Sequence, residues 1–156
     1  MSSITVVIPA YNEEARIAAT IRAVQTIPGV EQLFVINDGS TDDTSLIARQ
    51  EGAAVIDLYP NRGKGGAMNA SLDRIDSDIV VFLDADLGKA AAEAHKIIQP
   101  VLEGRCDLAI AAFPPPTKKG GFGLVKGTAG WALKRAGLPN STAPLSGQRA
   151  MNRQAL

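Results

Sequence analysis

One cysteine, Cys106, and one histidine, His95, are all that this 156-residue chain offers of the residues that most often build cross-links and metal clusters. A single cysteine excludes an internal disulfide and any cysteine-rich metal site. Cys106 precedes an expected strand and reads as a small core residue. His95 lies in an alanine-rich helical stretch, where a surface or packing role outweighs metal binding or catalysis. Net charge is also missing: Lys plus Arg and Asp plus Glu are 16 each. No overall field points to nucleic acid or to an acidic partner. No apolar run approaches the about 18 residues that a membrane span needs. Met1-Ser2-Ser3-Ile4 lacks the basic and apolar regions of a signal peptide, so the expectation is a cytoplasmic protein, with contact at a membrane surface left open. What remains is ordinary globular material, 46% apolar and 21% charged, long enough for one domain with a real core.

Strand-like and helix-like segments alternate along the chain. Ile4 to Ile8 reads as a strand stopped by Pro9, and Asn12 as the N-cap of a helix with Glu13 and Glu14 in its first turn. Ile17, Ile21 and Val24 trace that helix's apolar face, and Pro28-Gly29 closes it. Leu33 to Ile36 is a second strand, after which Ser40 caps a helix with Asp43 as its capping-box acid. A third strand covers Ala53 to Ile56. The glycine-rich turn Asn61-Arg62-Gly63-Lys64-Gly65-Gly66 leads into a helix that reaches Ile75. The fourth strand starts at Ile79, a helix over Ala90 to Leu102 is expected to bend or break at Pro100, and a fifth strand covers Leu108 to Phe113. Such alternation predicts an α/β fold: a Rossmann-like, doubly wound, mainly parallel sheet with helices on both faces. Pro114 to Gly121 reads as an exposed loop and Phe122 to Leu138 as a basic amphipathic helix. The stretch from Gln148 to Leu156 reads as a helix beginning, and the chain as one cut short.

Chemistry concentrates where the strands end. Ile79-Val80-Val81-Phe82-Leu83 is a strand covered on both faces, and it runs into Asp84-Ala85-Asp86. Acids spaced i, i+2 on extended chain share a side and repel unless a cation intervenes. Hard ions such as Mg²⁺ or Mn²⁺ take oxygen ligands of this kind and bridge them to phosphates. By themselves these residues are equally a strand end with two solvated acids. In a parallel sheet, however, they share one edge with Pro9 to Glu13, with Asp38 and with the glycine-rich turn. A nucleotide fits that set. Asp38 can accept a hydrogen bond from a base or ribose; Gly63, Gly65 and Gly66 permit close backbone approach; Lys64 or Arg62 brings positive charge to a diphosphate. Asp38-Gly39 also reads as a simple turn and Lys64 as a solvated lysine. The turn matches neither of the common glycine-rich phosphate loops, and no nucleophile elbow is present.

Val6-Val7-Ile8-Pro9-Ala10-Tyr11-Asn12-Glu13-Glu14, Asn37-Asp38-Gly39-Ser40-Thr41-Asp42-Asp43-Thr44, Asn61-Arg62-Gly63-Lys64-Gly65 and Phe82-Leu83-Asp84-Ala85-Asp86 occur in an order and spacing that resembles the GT-A-fold, family 2 glycosyltransferases. The resemblance covers residues 4 to 113 closely. It implies a nucleotide-diphosphate-sugar donor of the UDP or GDP type and a divalent metal, Mg²⁺ or Mn²⁺. By position, Pro9, Ala10, Tyr11 and Glu13 would line the nucleotide pocket and Asp38 would meet the base. Asp84, Ala85 and Asp86 would form the DxD element, with Asp86 as the more direct metal ligand. Asn37 departs from the family, where many relatives carry a second acid. Pro144-Leu145-Ser146-Gly147-Gln148-Arg149-Ala150 is similar to the Ser-Gly-Phe-Arg element of polyprenyl-phosphate glycosyltransferases of the dolichol-phosphate-mannose-synthase type. That likeness implies a lipid-phosphate acceptor held by Ser146 and Arg149, although Gln148 replaces the usual aromatic residue. The basic helix around Trp131 suits either a membrane surface or packing on the sheet.

The expected organisation is a nucleotide-sugar-binding subdomain over 1–113, with 114–156 beginning an acceptor side. The expected reaction moves a sugar to an acceptor hydroxyl or (poly)prenyl phosphate, with no catalytic base identifiable. Two alternatives stand beside it. A sugar-1-phosphate nucleotidyltransferase would carry a glycine-rich, arginine-bearing loop directly after the first strand, where this chain has Ala10-Tyr11-Asn12-Glu13-Glu14. A non-catalytic nucleotide-binding domain would need no acceptor half.

Overall fold

A computed structural model describes residues 2–112 and 147–156. Six strands form one sheet: β1 Ile4–Ala10, β2 Val30–Asn37, β3 Ala54–Asp57, β4 Ile79–Phe82, β5 Leu108–Ile110 and β6 Arg149–Asn152. Their order is β3-β2-β1-β4-β6-β5. β1 pairs in parallel with β2 and with β4, β2 pairs in parallel with β3, and β6 runs antiparallel between β4 and β5. The strand order therefore reverses direction at β1, and the crevice beyond the ends of β1 and β4 is a topological switch point.

The alternation of side chains along each strand divides the core in two. Ile4, Val6, Ile8 and Ala10 of β1, with Ile79 and Val81 of β4, face helix α1 (Ile17–Gln25) and helix α4 (His95–Leu102). Val7, Val80 and Phe82 face the other way, toward Ala67 of helix α3 (Gly63–Leu72) and toward Ile75. Helix α2 (Thr44–Gln50) adds Ala48 to the first layer. Helices thus cover both faces, as the alternating pattern predicts. Each fully buried Ile or Val contributes about 1.5–3 kcal/mol, and Ile4, Val6, Val7, Ile8, Val80 and Val81 of β1 and β4 are all of this kind.

Several local expectations change. The residues from Gln148 on form a strand where a helix was expected: Ala150 and Met151 are both buried, on opposite faces of the sheet. Pairing on both edges overrides the helix-leaning composition of this segment. It also brings part of the expected 114–156 region into the same sheet, between β4 and β5. The expected strand over Ala53 to Ile56 is shifted by one residue, and the fifth strand ends at Ile110. Pro100 lies inside α4, which runs through it. The carbonyl it frees belongs to solvent-exposed Lys96, while Ile97, Ile98 and Val101 hold the helix to the core. The change of winding falls earlier, where a 3₁₀ segment over Gly88–Ala94 gives way to α4. Phe113, the loop over 114–121 and the helix expected over Phe122 to Leu138 lie outside the described residues. Cys106 is half-buried against the core, and His95 is exposed with Nδ1 2.9 Å from the Ala92 carbonyl.

If residues 149–152 are a central strand, Met151→Ala should cost about 2 kcal/mol or more in urea unfolding. A loss below about 0.5 kcal/mol, the surface value, would place Met151 outside the core.

Candidate functional site

The loops after β1 and β2 are joined by side chain to backbone bonds. Asn12 is not a helix cap: it sits at φ +52, donates its amide to Ser40 Oγ at 2.9 Å, and accepts from the Thr41 amide at 2.9 Å. Short polar side chains tolerate that left-handed backbone, which asparagine adopts more readily than most residues. The Glu13 amide donates to Thr44 Oγ1 at 2.7 Å, and Glu14 accepts from the Asp43 amide at 3.1 Å. Ser40 and Asp43 therefore do not form the expected capping box. Asp42 does the local work, accepting from the Thr44 amide at 3.0 Å. Burial works against the Asp42 carboxylate, but hydrogen bonds from Thr44 and the Glu14 amide outweigh it and hold it below its usual range.

Asp38 is almost wholly buried at the end of β2. Its amide donates to the Ala10 carbonyl at 2.9 Å, which locks the two strand ends together. Its Oδ1 accepts from the Arg62 amide at 2.7 Å, and its carbonyl accepts from Asn61 Nδ2 at 2.8 Å. The turn before α3 is thereby folded over the acid. Gly63 opens α3 at φ +72, a conformation in which a side chain would be strained.

At the end of β4 the DxD acids have cationic and amide neighbours. Lys64 forms an ion pair with Asp84 Oδ1, and Gln148 donates its side-chain amide to Asp84 Oδ2. Gly147 lies so close to Asp84 and Lys64 that a β-carbon there would overlap both. Arg16 lies 2.9 Å from Glu13 Oε2 and 3.6 Å from Asp86 Oδ2. The contact with Glu13 is an ion pair without hydrogen-bond direction, since Oε2 is buried and unbonded.

Pro9, Ala10, Tyr11, Glu13, Asp38, Lys64, Asp84, Ala85 and Asp86 line one cavity of about 280 Å³ at the switch point. Gly63 stands outside that lining, and so does Arg149, whose Nε is buried without a partner among the described residues at the start of β6. Ser146 lies outside the described residues. Sequence reasoning missed Gly147 as a contact and Thr20 as a support beneath Ala85. The signal for Thr20 was a threonine placed in the apolar stripe of Ile17, Ile21 and Val24.

The donor set suits a hard divalent ion. Asp84 and Asp86 offer carboxylate oxygens, and no group of three or more His, Cys, Asp or Glu side chains forms a complete metal cage among the described residues. A cation here would complete its shell with water and phosphate oxygens, the usual arrangement for Mg²⁺.

A largely parallel sheet with a switch-point cavity, a buried acid at one end and paired carboxylates at the other defines an α/β domain with a ligand crevice beyond the ends of its strands. The chain matches the model for glycosyl transferase family 2 over residues 5–153, and it belongs to that family. It is 38% identical to glucosyl-3-phosphoglycerate synthase from Mycobacterium tuberculosis over 111 residues, which is 65% of this chain and 33% of that protein. It is 31% identical over 108 residues to Protein RfbJ of Shigella flexneri, spanning 69% of this chain and 83% of that one. The crystal structure of the M. tuberculosis synthase with Mn²⁺, UDP-glucose and phosphoglyceric acid matches with a TM-score of 0.82 at 35% identity, covering 99% of this chain and 58% of that one. The fold is therefore the GT-A fold. The chain spans a third of the curated synthase and 58% of the crystallised chain. Among the described residues, no helix is long and apolar enough to cross a membrane.

The departure at Asn37 has a local cause. Buried Asn37 donates to Asp57 Oδ1 at 2.8 Å, and Ser45 and Arg49 reach the same carboxylate. Partial burial would raise Asp57, but these hydrogen bonds and the Arg49 charge outweigh it and hold the acid low. A group held low in the folded state adds stability above its unfolded pKa and loses it as pH falls through the folded value. Asn37→Asp would set one acid against another. It should cost about 1 kcal/mol at neutral pH, a modest figure because Asp57 is half-exposed. The gap to the wild type in urea unfolding should shrink as the pH drops into the carboxylate range, and a pH-independent gap would assign the loss to packing.

Proposed function

We propose that this chain is the donor-binding part of a glycosyltransferase, taking a nucleoside-diphosphate sugar of the UDP type and presenting its anomeric carbon to an acceptor. The single observation that carries this is the cavity itself, with Asp38 at its β2 end and Lys64, Asp84 and Asp86 at its β4 end. A nucleotide laid across it puts its base against Asp38 and its diphosphate against the acids. The structural relative crystallised with UDP-glucose and Mn²⁺ supports the choice of uridine and of a divalent metal.

Each residue then has a task. Asp38, already bonded through Oδ1 to the Arg62 amide, accepts from a base N–H with its remaining lone pairs. Pro9, Ala10, Tyr11 and Glu13 form the wall that the base and ribose meet, and half-exposed Tyr11 offers a ring face. Lys64, paired with Asp84, brings positive charge to the diphosphate side. Asp84 and Asp86 would hold Mg²⁺ or Mn²⁺, which supplies neutralisation of the charge that builds on the departing nucleoside diphosphate. Ala85 keeps the backbone between them tight against the cavity.

The acceptor is a hydroxyl or a phosphate-bearing molecule, and the residues that receive it begin on the 114–156 side. The lipid-phosphate form of this reading draws on the likeness of residues 144–150 alone. Within it Gln148 is turned toward Asp84, and the buried Arg149 Nε has no partner among the described residues. A cytoplasmic location, where nucleotide sugars are made, belongs to the same proposal.

Calorimetric titration with UDP and GDP, with and without Mn²⁺, tests the reading. UDP should bind more tightly with Mn²⁺, and Asp86→Ala should remove that gain. An intact Mn²⁺ gain in the variant would remove the metal from these acids. Asp38→Ala should weaken UDP by about tenfold while leaving inorganic pyrophosphate nearly unchanged, as loss of one base hydrogen bond predicts. Equal losses for both ligands would place Asp38 away from the base.

A further inference from the structure

Among the supports of the cavity, one side chain is fully buried, polar and bonded to the DxD loop from another element. Thr20, on α1, is 0% exposed. Its hydroxyl donates to the Ala85 carbonyl at 2.7 Å and accepts from the Gly88 amide at 2.8 Å. The Arg16 carbonyl, at 3.3 Å, is the longer of the two acceptors within reach, so the single hydroxyl proton belongs to Ala85. Thr20 thus closes a bridge across residues 85 to 88 from beneath.

The consequence falls on Asp86. A peptide unit is planar, so fixing the Ala85 carbonyl fixes the plane that carries the Asp86 amide. The Gly88 amide anchors the chain on the far side of the same acid. Asp84 has other restraints: the Leu83 amide bonds the Val7 carbonyl at 3.0 Å, and Lys64 and Gln148 hold its carboxylate. Among the described residues the side chain of Asp86 is paired with Arg16 alone, at 3.6 Å, and it is half-exposed. Its position relative to Asp84 therefore depends on its backbone, and its backbone depends on Thr20.

We propose that Thr20 is a positioning residue for the donor site, setting the separation of Asp86 from Asp84 that a shared cation and diphosphate require. The proposal rests on the reading of these two acids as the metal and diphosphate site. It assigns to α1, through one hydroxyl, a task separate from its apolar packing by Ile17, Ile21 and Val24. Groups that orient metal ligands without touching the metal commonly shift metal affinity by about 10–100-fold.

The test measures UDP affinity by calorimetry with and without Mn²⁺, and thermal unfolding, in the wild type, Thr20→Ser, Thr20→Val and Asp86→Ala. Serine keeps the hydroxyl and should keep the Mn²⁺ gain. Valine keeps the shape and loses the hydroxyl: the Mn²⁺ gain should fall about tenfold while metal-free UDP affinity stays within about twofold. An undiminished gain in Thr20→Val, even with a lowered Tm, would make Thr20 a packing residue and overturn the proposal. Should Thr20→Val fail to fold, Thr20→Ala is judged by the same ratio. Asp86→Ala separates the two layers of the argument. If it retains the full gain, the metal reading falls and Thr20's role with it; if it loses the gain while Thr20→Val does not, only the role of Thr20 is lost.

Discussion

Burial of the strand Ile79–Phe82 on every side anchors both core layers and the site at its end. All its residues are buried, its faces belong to the two core layers, and its edges are bonded to β1 and to β6. A strand so enclosed cannot slip, because a one-residue shift would exchange the two core layers. The chain leaves it at a defined place, and Asp84 and Asp86 stand at that exit. Precision at the site is thus a consequence of apolar packing several residues away.

Electrostatics at the exit is arranged around two acids that would otherwise repel. Lys64 from α3 and Gln148 from the approach to β6 meet Asp84, while Arg16 from the loop after β1 reaches both Glu13 and Asp86. These partners come from three separate stretches of chain, so the acids are compensated only once the sheet has assembled. Being partly exposed, the pairs add little to stability, and their value lies in where they hold the carboxylates. Asp38 follows a different logic. It is buried and anchored by backbone groups, so its carboxylate is held in one place by the turn before α3.

Local chemistry accounts for what could be read in the sequence. β-Branched runs marked β1, β2 and β4, and a parallel arrangement of alternating elements placed Pro9 to Glu13, Asp38, Lys64 and the DxD acids on one edge. The cavity gathers those residues. Capping signals misled, because Asn12, Ser40 and Asp43 spend their polar groups on each other's loops before the helices begin. Arg149 to Asn152 misled for a different reason: four residues of helix-compatible type became a strand because two unpaired edges awaited them.

Hydrophobic period and residue type act locally and are written in order along the chain, so the layered fold and the residues that meet at the cavity were legible before any contact was known. Which partners restrain those residues emerges from long-range packing. Thr20 beneath Ala85, Gly147 against Asp84, and Asn37 against Asp57 join residues far apart in sequence; a local pattern can mark Thr20 as out of place in an apolar stripe, but it cannot name a partner that is met only when strands pair and a helix packs across them.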